Sequence, residues 1–387
     1  MKSIDTAERR ARIGVRHRLT ATARSDDPAK ISDALVAFHS SDPATVYLSA
    51  TSRMRTPSVE VVEQGFYETR TLIRHHAMRR TLWAMTPEVA ALAHAASTRS
   101  IVDPQVWRLS KLIEESGIAH NGESWIAEAR VRLLDAVRSV GPVSTRELGL
   151  ASPDLAVSLR FGGGSVSAHS RILLILGFEG TIVRTQPSGR WTNSHYAWVS
   201  AENWMPDLFD RHDEAAATAE LIDRYLLVFG PATEKDIQWW TGSNITRVRT
   251  ALQDVNAREV HIEGGQAWVS ASDETCTSTD ETWVAFLPGL DSTTMGWKER
   301  DWYVGSALAP RVFDRNGNAG PTVWADERVV GVWDQLASGE VVYRIYDPAA
   351  EGRSSDFARA AETVRDVYGD ARHRVRFPSP AYRELMD

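Results

Sequence analysis

Two stretches of the chain share one pattern of apolar and polar positions. Each begins with an amphipathic run typical of a helix and continues with a Gly-Pro turn, GPVSTREL from Gly141 and GPATEKDI from Gly230. In each turn a capping residue, Ser144 or Thr233, precedes an acidic residue by three positions, which is the spacing of a capping box. A second helix is therefore predicted to begin at each of these capping residues.

Each Gly-Pro turn is followed by a third helical run and then by two short apolar runs with turn residues between them. These runs predict β-hairpins over roughly 179–199 and 258–270, the second with Gly264-Gly265 at its turn. Three helices followed by a two-stranded hairpin describe a winged helix. Gly-Pro followed by a capping residue is also common between any two helices, but the matched hairpins favour tandem winged-helix modules.

The N-terminal part has the pattern of a related module. Residues 31–38 are predicted to be helical, and a new helix is expected at Pro43, because Asp42 suits the N-cap and proline suits the first helical position. The run YETRTLIRHHAMRRTLWAM, residues 67–85, is interpreted as a further helix.

Beyond about residue 280 the pattern changes to short runs rich in Val, Trp and Tyr, bounded by Gly, Asp and Pro. These runs predict a small β-barrel-like domain, which the helical run SSDFARAAETVRDVYGDA closes. The predicted fold class is α+β. The predicted domains are three winged-helix modules over 1–125, 126–205 and 206–275, followed by the β-barrel-like domain over 276–387.

Composition narrows the class of protein. The chain has 387 residues, with 43% hydrophobic and 25% charged positions, which is typical of a globular protein of several domains. Its one cysteine, Cys276, excludes a disulfide framework, and the adjacent His75 and His76 point apart on a helix without partners at ligand spacing. No apolar run has the length of a membrane span, and the charged N-terminus lacks the core of a signal peptide. We expect a cytoplasmic monomer without metal or cofactor.

The net charge of −7 argues against indiscriminate binding to a polyanion, although local basic clusters can still bind one. One such cluster occupies residues 70–80, and its alternative interpretation is a solvated helix face. We predict that Arg74, Arg79 and Arg80 line a positive concave surface and contact phosphates. Arg190 or Lys298, from a later module, is expected to contribute to the same surface.

Four stretches together resemble one family of enzymes. LIRHHAMRRTLWAM, LLVFGPATEKDIQWWTG, FLPGLDSTTMGWKERDWY and NAGPTVWADERVVGVW are similar to signatures of the winged-helix DNA glycosylases of the AlkZ and YcaQ type. The resemblance extends from about Arg12 to Tyr346, and the combination is specific to the family although no single motif is. It implies three winged helices in a C-shape around double-stranded DNA, then a β-barrel. It also implies hydrolysis of the N-glycosidic bond of N7-alkylated purines, in some members within bulky adducts and interstrand crosslinks.

The chain departs from the family at the catalytic motif, which is Gln-x-Gln or Gln-x-Asp, typically followed by Asp-Pro. Here the matching positions are His39-Ser40-Ser41, followed by Asp42-Pro43. The resemblance therefore places His39 and Ser41 at the catalytic positions.

An N7-alkylpurine is already cationic and leaves without a general acid, so the motif must hold a water against the sugar C1′ and stabilise an oxocarbenium-like transition state. Neutral histidine offers one hydrogen-bond donor and one acceptor, and serine offers both. Histidine can also accept a proton near neutral pH. Serine is shorter than glutamine, which would change the pocket.

Two other interpretations of the motif remain open. His39-Ser40-Ser41 can be mere punctuation between two helices, and the chain can be a DNA-binding relative without the chemistry, such as a regulator or a repair accessory protein. A catalytic role requires that the joint be unwound, because residues i and i+2 share a face only in an extended chain. It also predicts that the His39 imidazole is partly exposed and faces the DNA.

Overall fold

The computed structural model describes residues 2–161, 164–209 and 212–386 and has a mixed α/β architecture. Within these ranges, no helix combines the length and the apolar character that crossing a membrane requires. The N-terminal elements are β1 Lys2–Ser3, α1 Thr6–Arg16, α2 Pro28–Asp33, β2 Phe38–His39, α3 Pro43–Thr51, α4 Val59–Tyr67, β3 Ile73–His76, β4 Leu82–Met85, α5 Pro87–Ala93 and α6 Val102–Glu115.

Two predictions for this region are wrong for the same physical reason. The helix predicted over 31–38 ends at Asp33, since Val36 has a φ of 61° that no right-handed helix contains. The helix predicted over 67–85 is an antiparallel hairpin of β3 and β4. Its turn contains Arg79 and Arg80, which also have positive φ angles of 55° and 58°. The expected helix start at Pro43 is confirmed, with the Asp42 side chain accepting from the Ala44 N–H.

The middle of the chain contains the two predicted repeats. Both capping boxes are present, with Ser144 and Thr233 as the N-caps, and both hairpins are confirmed as antiparallel pairs, β8–β9 and β10–β11. The elements of the first copy are α7 Gly122–Val140, β5 Val143–Ser144, α8 Thr145–Ala151, β6 Ser158–Phe161, β7 Gly164–Ser167, α9 Ala168–Phe178, β8 Ile182–Pro187, β9 Tyr196–Ser200 and α10 Ala201–Trp204. Those of the second copy are α11 Glu214–Phe229, α12 Glu234–Thr241, α13 Ile245–Asp254, β10 Arg258–Ile262 and β11 Gly265–Val269.

A six-stranded sheet joins the first part of the chain to the first repeat. Its strand order is β2-β4-β3-β8-β9-β5, and the pairing of Arg74 with Arg184 links the two halves. The sheet therefore crosses the predicted boundary at 125/126. The N-terminus is attached elsewhere, because β1 pairs in parallel with β10 of the second repeat. The domain boundaries stay predictions.

The C-terminal region is an open sheet and not a closed barrel. Four antiparallel strands follow the order β12-β13-β14-β15, and in the described part of the chain β12 does not pair with β15. Helix α16 contacts both of these edge strands, so it covers the sheet that was expected to close on itself. The elements are β12 Val284–Leu287, α14 Asp301–Val304, α15 Ala309–Val312, β13 Thr322–Ala325, β14 Arg328–Gln335, β15 Val341–Ile345, α16 Ser354–Tyr368 and α17 Tyr382–Met386.

One hydrophobic cluster packs this C-terminal sheet directly on the N-terminal helices. Phe357 of α16 and Phe286 of β12 share it with Tyr47 and Leu48 of α3. Helix α3 begins immediately after the His-Ser-Ser joint. The packing therefore brings the C-terminal region, distant in sequence, next to the candidate catalytic motif.

Candidate active site

The His-Ser-Ser joint is extended, as a catalytic role requires. His39 ends β2, where it pairs with Trp83 of β4, and the Ser40 N–H continues the ladder by donating to the Leu82 carbonyl at 2.8 Å. Helix α3 begins only at Pro43. The interpretation of His39 and Ser40 as the end of a helix is therefore wrong, because these residues belong to a sheet.

The His39 imidazole is more enclosed than expected. His39 is 4% exposed, and the centroid of its ring lies 4.7 Å from that of the Trp83 ring. The predicted partial exposure of the imidazole is therefore wrong. The Ser41 N–H donates to His39 Nδ1 at 3.4 Å, a long and weak bond. Since Nδ1 accepts, the proton of the neutral ring is on Nε2. Nε2 and the partly exposed Ser41 hydroxyl make no hydrogen bond within the described residues.

The surroundings of His39 keep the ring neutral. Burial and the positive charge of Arg79 together lower the pKa of His39 to about 3, and only the Asp42 carboxylate opposes them. A group with so low a pKa is a poor proton acceptor at neutral pH. The structure therefore favours hydrogen bonding over general-base catalysis as the contribution of His39.

Asp42, next to the motif, is only 3% exposed and fully engaged in hydrogen bonds. One carboxylate oxygen, Oδ1, accepts from the Ala44 N–H at 3.3 Å and from His373 Nε2 at 2.8 Å. The other, Oδ2, accepts from the Arg376 N–H at 3.1 Å. Two residues near the C-terminus thus contact the motif, and the local sequence around Asp42 gives no sign of them.

Arg74 does not belong to the predicted phosphate-binding surface. It is 1% exposed, its guanidinium lies 3.8 Å from the Phe66 ring centroid, and it donates to the Tyr67 hydroxyl at 2.7 Å. The aromatic rings of Tyr47 and Tyr196 complete the enclosure. A side chain packed in this way cannot reach a phosphate without leaving the core, so its role is structural.

Arg79 and Arg80 lie together in the β3–β4 turn but face different surroundings. The Arg79 guanidinium stacks on Trp239 of α12 at 4.2 Å, and Arg300 approaches the same ring at 4.8 Å. Burial, together with the charge of Arg300, lowers the pKa of Arg79 to about 10. Arg80 is exposed. The turn therefore joins the N-terminal region to the second repeat and leaves one arginine free for a ligand.

Arg190 and Lys298 are both exposed and belong to different surroundings. Arg190 lies in the β8–β9 turn, where Ser194 accepts a hydrogen bond from Arg376. Lys298 is close in sequence to Arg300, and its backbone N–H donates to Asp236 of α12 at 2.8 Å. The structure thus places Lys298 near the Arg79–Trp239 stack, and Arg190 in the turn beside the motif.

Among the described residues, no group of three or more His, Cys, Asp or Glu side chains could hold a metal ion. His75 and His76 lie on strand β3 and not on the predicted helix. His75 Nε2 is 3.1 Å from His94 Nδ1, and His76 Nδ1 is 3.2 Å from an Arg184 nitrogen. Both imidazoles therefore connect elements of the core.

Comparison with known proteins decides the family. The chain matches the model of the family described as DNA glycosylase AlkZ-like over residues 33–367. The chain belongs to the AlkZ-like DNA glycosylase family. Its fold is similar to that of the Streptomyces sahachiroi DNA glycosylase AlkZ, with a TM-score of 0.73 and 19% sequence identity over 97% of this chain and 100% of that chain. A comparison with curated proteins found no match.

Membership of the AlkZ-like family makes DNA the expected substrate. The motif His39-Ser40-Ser41 is therefore of interest, because it differs from the motif of the family. The unwound joint that a catalytic role requires is present, but no local pattern indicated that His373 and Arg376 contact it. Nor does a local pattern indicate that Trp239 and Arg300 lie beside Arg79. The basic run Arg372-His373-Arg374, which continues to Arg376, is a signal that could have drawn attention to the C-terminal segment.

Proposed function

We propose that this AlkZ-like protein is a monofunctional DNA glycosylase that hydrolyses the N-glycosidic bond of N7-alkylated purines in duplex DNA. Bulky adducts and interstrand crosslinks are the wider substrate range to be tested. The observation that carries the proposal is the extended joint, which leaves His39 Nε2–H and the Ser41 hydroxyl without partners in the described structure. Family membership supports the class of reaction.

The two groups suffice for the chemistry that a cationic leaving group requires. His39 Nε2–H donates a hydrogen bond to the oxygen of a water, and the Ser41 hydroxyl oxygen accepts a hydrogen bond from that water, so the remaining lone pair of the water points at C1′. As the base departs with the electron pair of the glycosidic bond, the water oxygen bonds to C1′ and its surplus proton passes to the solvent. Because the alkylated base departs without prior protonation, no general acid is needed. His39 remains neutral, and it adds no positive charge beside the developing oxocarbenium ion.

The reaction is proposed to stop at base removal. A bifunctional glycosylase needs an amine nucleophile that forms a Schiff base with the sugar. In the described part of the chain, no lysine forms a hydrogen bond or an ion pair with residues 39–42. The product is therefore an abasic site in an intact strand.

We infer further that the three successions of three helices and a hairpin are winged helices. They present Arg80, Arg190 and Lys298 to duplex DNA, whereas the predicted phosphate contact of Arg79 is dropped because its guanidinium is packed on Trp239. Each succession has the element order of that module: α2 to β4, α7 to β9, and α11 to β11. Exposed arginine and lysine side chains supply phosphate contacts that do not depend on sequence.

The test is release of N7-methylguanine from a duplex under single-turnover conditions, with abasic sites detected on denaturing gels and by mass. His39→Ala should lower the rate by about 10²-fold, and His39→Gln should recover part of the loss because it restores a side-chain amide. His39 is buried against Trp83, so His39→Ala should also destabilise the fold by roughly 1–3 kcal/mol. The less disruptive His39→Gln therefore decides the role of the imidazole.

The burial of His39 favours one second candidate, a DNA-binding protein that has lost the chemistry. In that case the wild-type protein binds duplex DNA but releases no base, and His39→Gln changes neither property. Wild-type base release that survives His39→Ala unchanged would instead place the catalytic groups elsewhere in the protein.

A further inference from the structure

The C-terminal segment 372–376 returns to the motif after α16 and holds both carboxylate oxygens of Asp42. His373 Nε2 donates to Oδ1 at 2.8 Å, and the Arg376 N–H donates to Oδ2 at 3.1 Å. Capping α3 requires only the bond from Ala44 to Oδ1, which is the longest of the three at 3.3 Å. The bonds from the segment therefore do more than start a helix, because they fix the rotation of the Asp42 carboxylate.

The Arg376 side chain also forms hydrogen bonds with the motif itself. One guanidinium nitrogen, Nη1, donates to the Ser41 carbonyl at 3.2 Å, and the other, Nη2, donates to the Ser194 hydroxyl in the β8–β9 turn. A single arginine thus connects the C-terminal segment, the motif and the first repeat. Its planar fork suits such a bridge, because both donors have a fixed geometry.

The segment is itself held in place by Gln335 of β14. The Gln335 amide donates to the Ala371 carbonyl at 3.2 Å and accepts from the His373 N–H at 3.2 Å. Gln335 is buried. The segment therefore has a fixed anchor in the C-terminal sheet, from which His373 and Arg376 reach the motif.

The motif depends on such outside support because its internal contacts are weak. The bond from Ser41 to His39 Nδ1 is 3.4 Å long, and the buried Ser40 hydroxyl has no hydrogen-bond partner in the described structure. The position of the Ser41 peptide is thus set by Arg376 on its carbonyl and by Asp42 immediately after it. A displacement of about 1 Å in a catalytic group can lower a rate by about 10²-fold.

We propose that His373 and Arg376 are positioning residues that hold Ser41 and Asp42 in the orientation needed for base release. The inference rests on the proposed glycosylase function and extends it to a segment that lies beyond residue 367, where the match to the family model ends. Through Ser194, Arg376 also couples the motif to the β8–β9 turn, so that part of the first repeat contributes to the site.

The test uses the full chain with five substitutions: His373→Leu, His373→Gln, Arg376→Ala, Arg376→Lys and Arg374→Ala as the matched control. Arg374 is exposed in the same segment and has no contact with the motif among the described residues. Single-turnover release of N7-methylguanine gives the chemical rate, and fluorescence anisotropy gives duplex affinity. His373→Leu and Arg376→Ala should lower the rate by about 10- to 100-fold. Arg374→Ala should leave the rate unchanged.

Rescue separates positioning from simple loss of structure. The amide nitrogen of Gln can occupy the place of Nε2 and donate to Asp42, so His373→Gln should regain most of the rate that His373→Leu loses. Arg376→Lys should regain little, because one ammonium cannot serve two acceptors in fixed directions. Equal rates for His373→Gln and His373→Leu would overturn the proposal. The proposal would also be overturned if Arg376→Ala weakened duplex affinity but left the chemical rate unchanged, since this result would identify Arg376 as a phosphate contact.

Amide hydrogen exchange tests the proposal even if the wild-type protein releases no base. Absence of base release would refute the proposed function alone. Amide exchange measures how firmly the segment holds the joint, and this measurement needs no catalytic reaction. His373→Leu and Arg376→Ala should accelerate exchange at the Ser40 and Ser41 amides at least tenfold, while amides of β3 and β8 keep their wild-type rates. Unchanged exchange at Ser40 and Ser41 would show that the segment does not position the motif.

Discussion

At the scale of single residues, burial decides what His39 can do. An exposed histidine titrates near neutral pH and can accept a proton, whereas this imidazole lies against Trp83 with the charge of Arg79 nearby. Its useful atom is therefore the Nε2–H donor. The family resemblance singled out His39 as a candidate, but the protonation of its ring depends on packing that the motif does not encode.

His39 should remain neutral far below the usual range of histidine. Burial lowers its pKa to about 3, so in the free protein the ring resonances that disappear in His39→Gln should not titrate between about pH 5 and 8 in an NMR experiment. Because the unfolded chain binds a proton at His39 below about pH 6.5 and the folded chain does not, this group lowers stability as the pH falls from about 6.5 toward 3. A midpoint near pH 6.5 would contradict the buried geometry.

Asp334 of β14 should have the opposite effect on stability. Burial raises its pKa to about 6, against hydrogen bonding to Gln335 and the charge of His373, and one of its oxygens is buried without a partner. The folded state binds the proton more tightly than the unfolded state, so this group lowers stability as the pH rises from about 4 to 6. Asp334→Asn should therefore stabilise the protein by roughly 1–3 kcal/mol at pH 7.5. The gain should shrink as the pH falls toward the unfolded pKa of 3.8 and vanish at about pH 3 in urea unfolding. An equal gain at pH 7.5 and pH 3 would refute the assignment.

At the scale of elements, local sequence signals predicted helix starts and hairpins correctly, whereas pairing between distant strands could not be predicted. The capping boxes at Ser144 and Thr233 and both hairpins followed from the spacing of a few neighbouring residues. Most of the predicted helix over 67–85 is a hairpin of residues 73–85, because β3 pairs with β4 and with the distant β8, and because Arg79 and Arg80 adopt left-handed angles. Neither arginine is of a type that signals such a turn, so the helix prediction failed there.

The Arg79–Trp239 stack should couple the β3–β4 turn to α12. Arg79→Ala and Trp239→Ala should each lower the free energy of unfolding, and a double-mutant cycle should give a coupling of about 0.5–2 kcal/mol, because the guanidinium lies 4.2 Å from the ring and is largely desolvated. Arg80→Ala, in the neighbouring exposed position, is the control and should leave stability unchanged. A coupling energy near zero would mean that the two elements meet without mutual stabilisation.

At the scale of the whole molecule, the sequence predicted the family and the repeated units but not the way in which the ends of the chain meet the middle. The C-terminal sheet is open, α16 contacts both of its edge strands, and α16 in turn packs against α3. The His373–Asp42 bond joins residues 331 positions apart. No local period reports a contact of this kind, which is why the support of the motif became visible only in three dimensions.

The whole molecule is acidic, with a net charge of −7, so binding to DNA must depend on a few well-placed cations. Arg80, Arg190 and Lys298 are exposed and lie on three different parts of the chain, which makes their contributions additive. If each contacts one phosphate, the triple alanine variant should flatten the slope of log affinity against log salt by about three, with little dependence on DNA sequence. Arg365→Ala is the matched control, because Glu362 and Asp366 already neutralise that arginine. A triple variant with the wild-type slope would remove these three side chains from the path of the DNA, and a change in the Arg365→Ala slope would show that net charge alone governs binding.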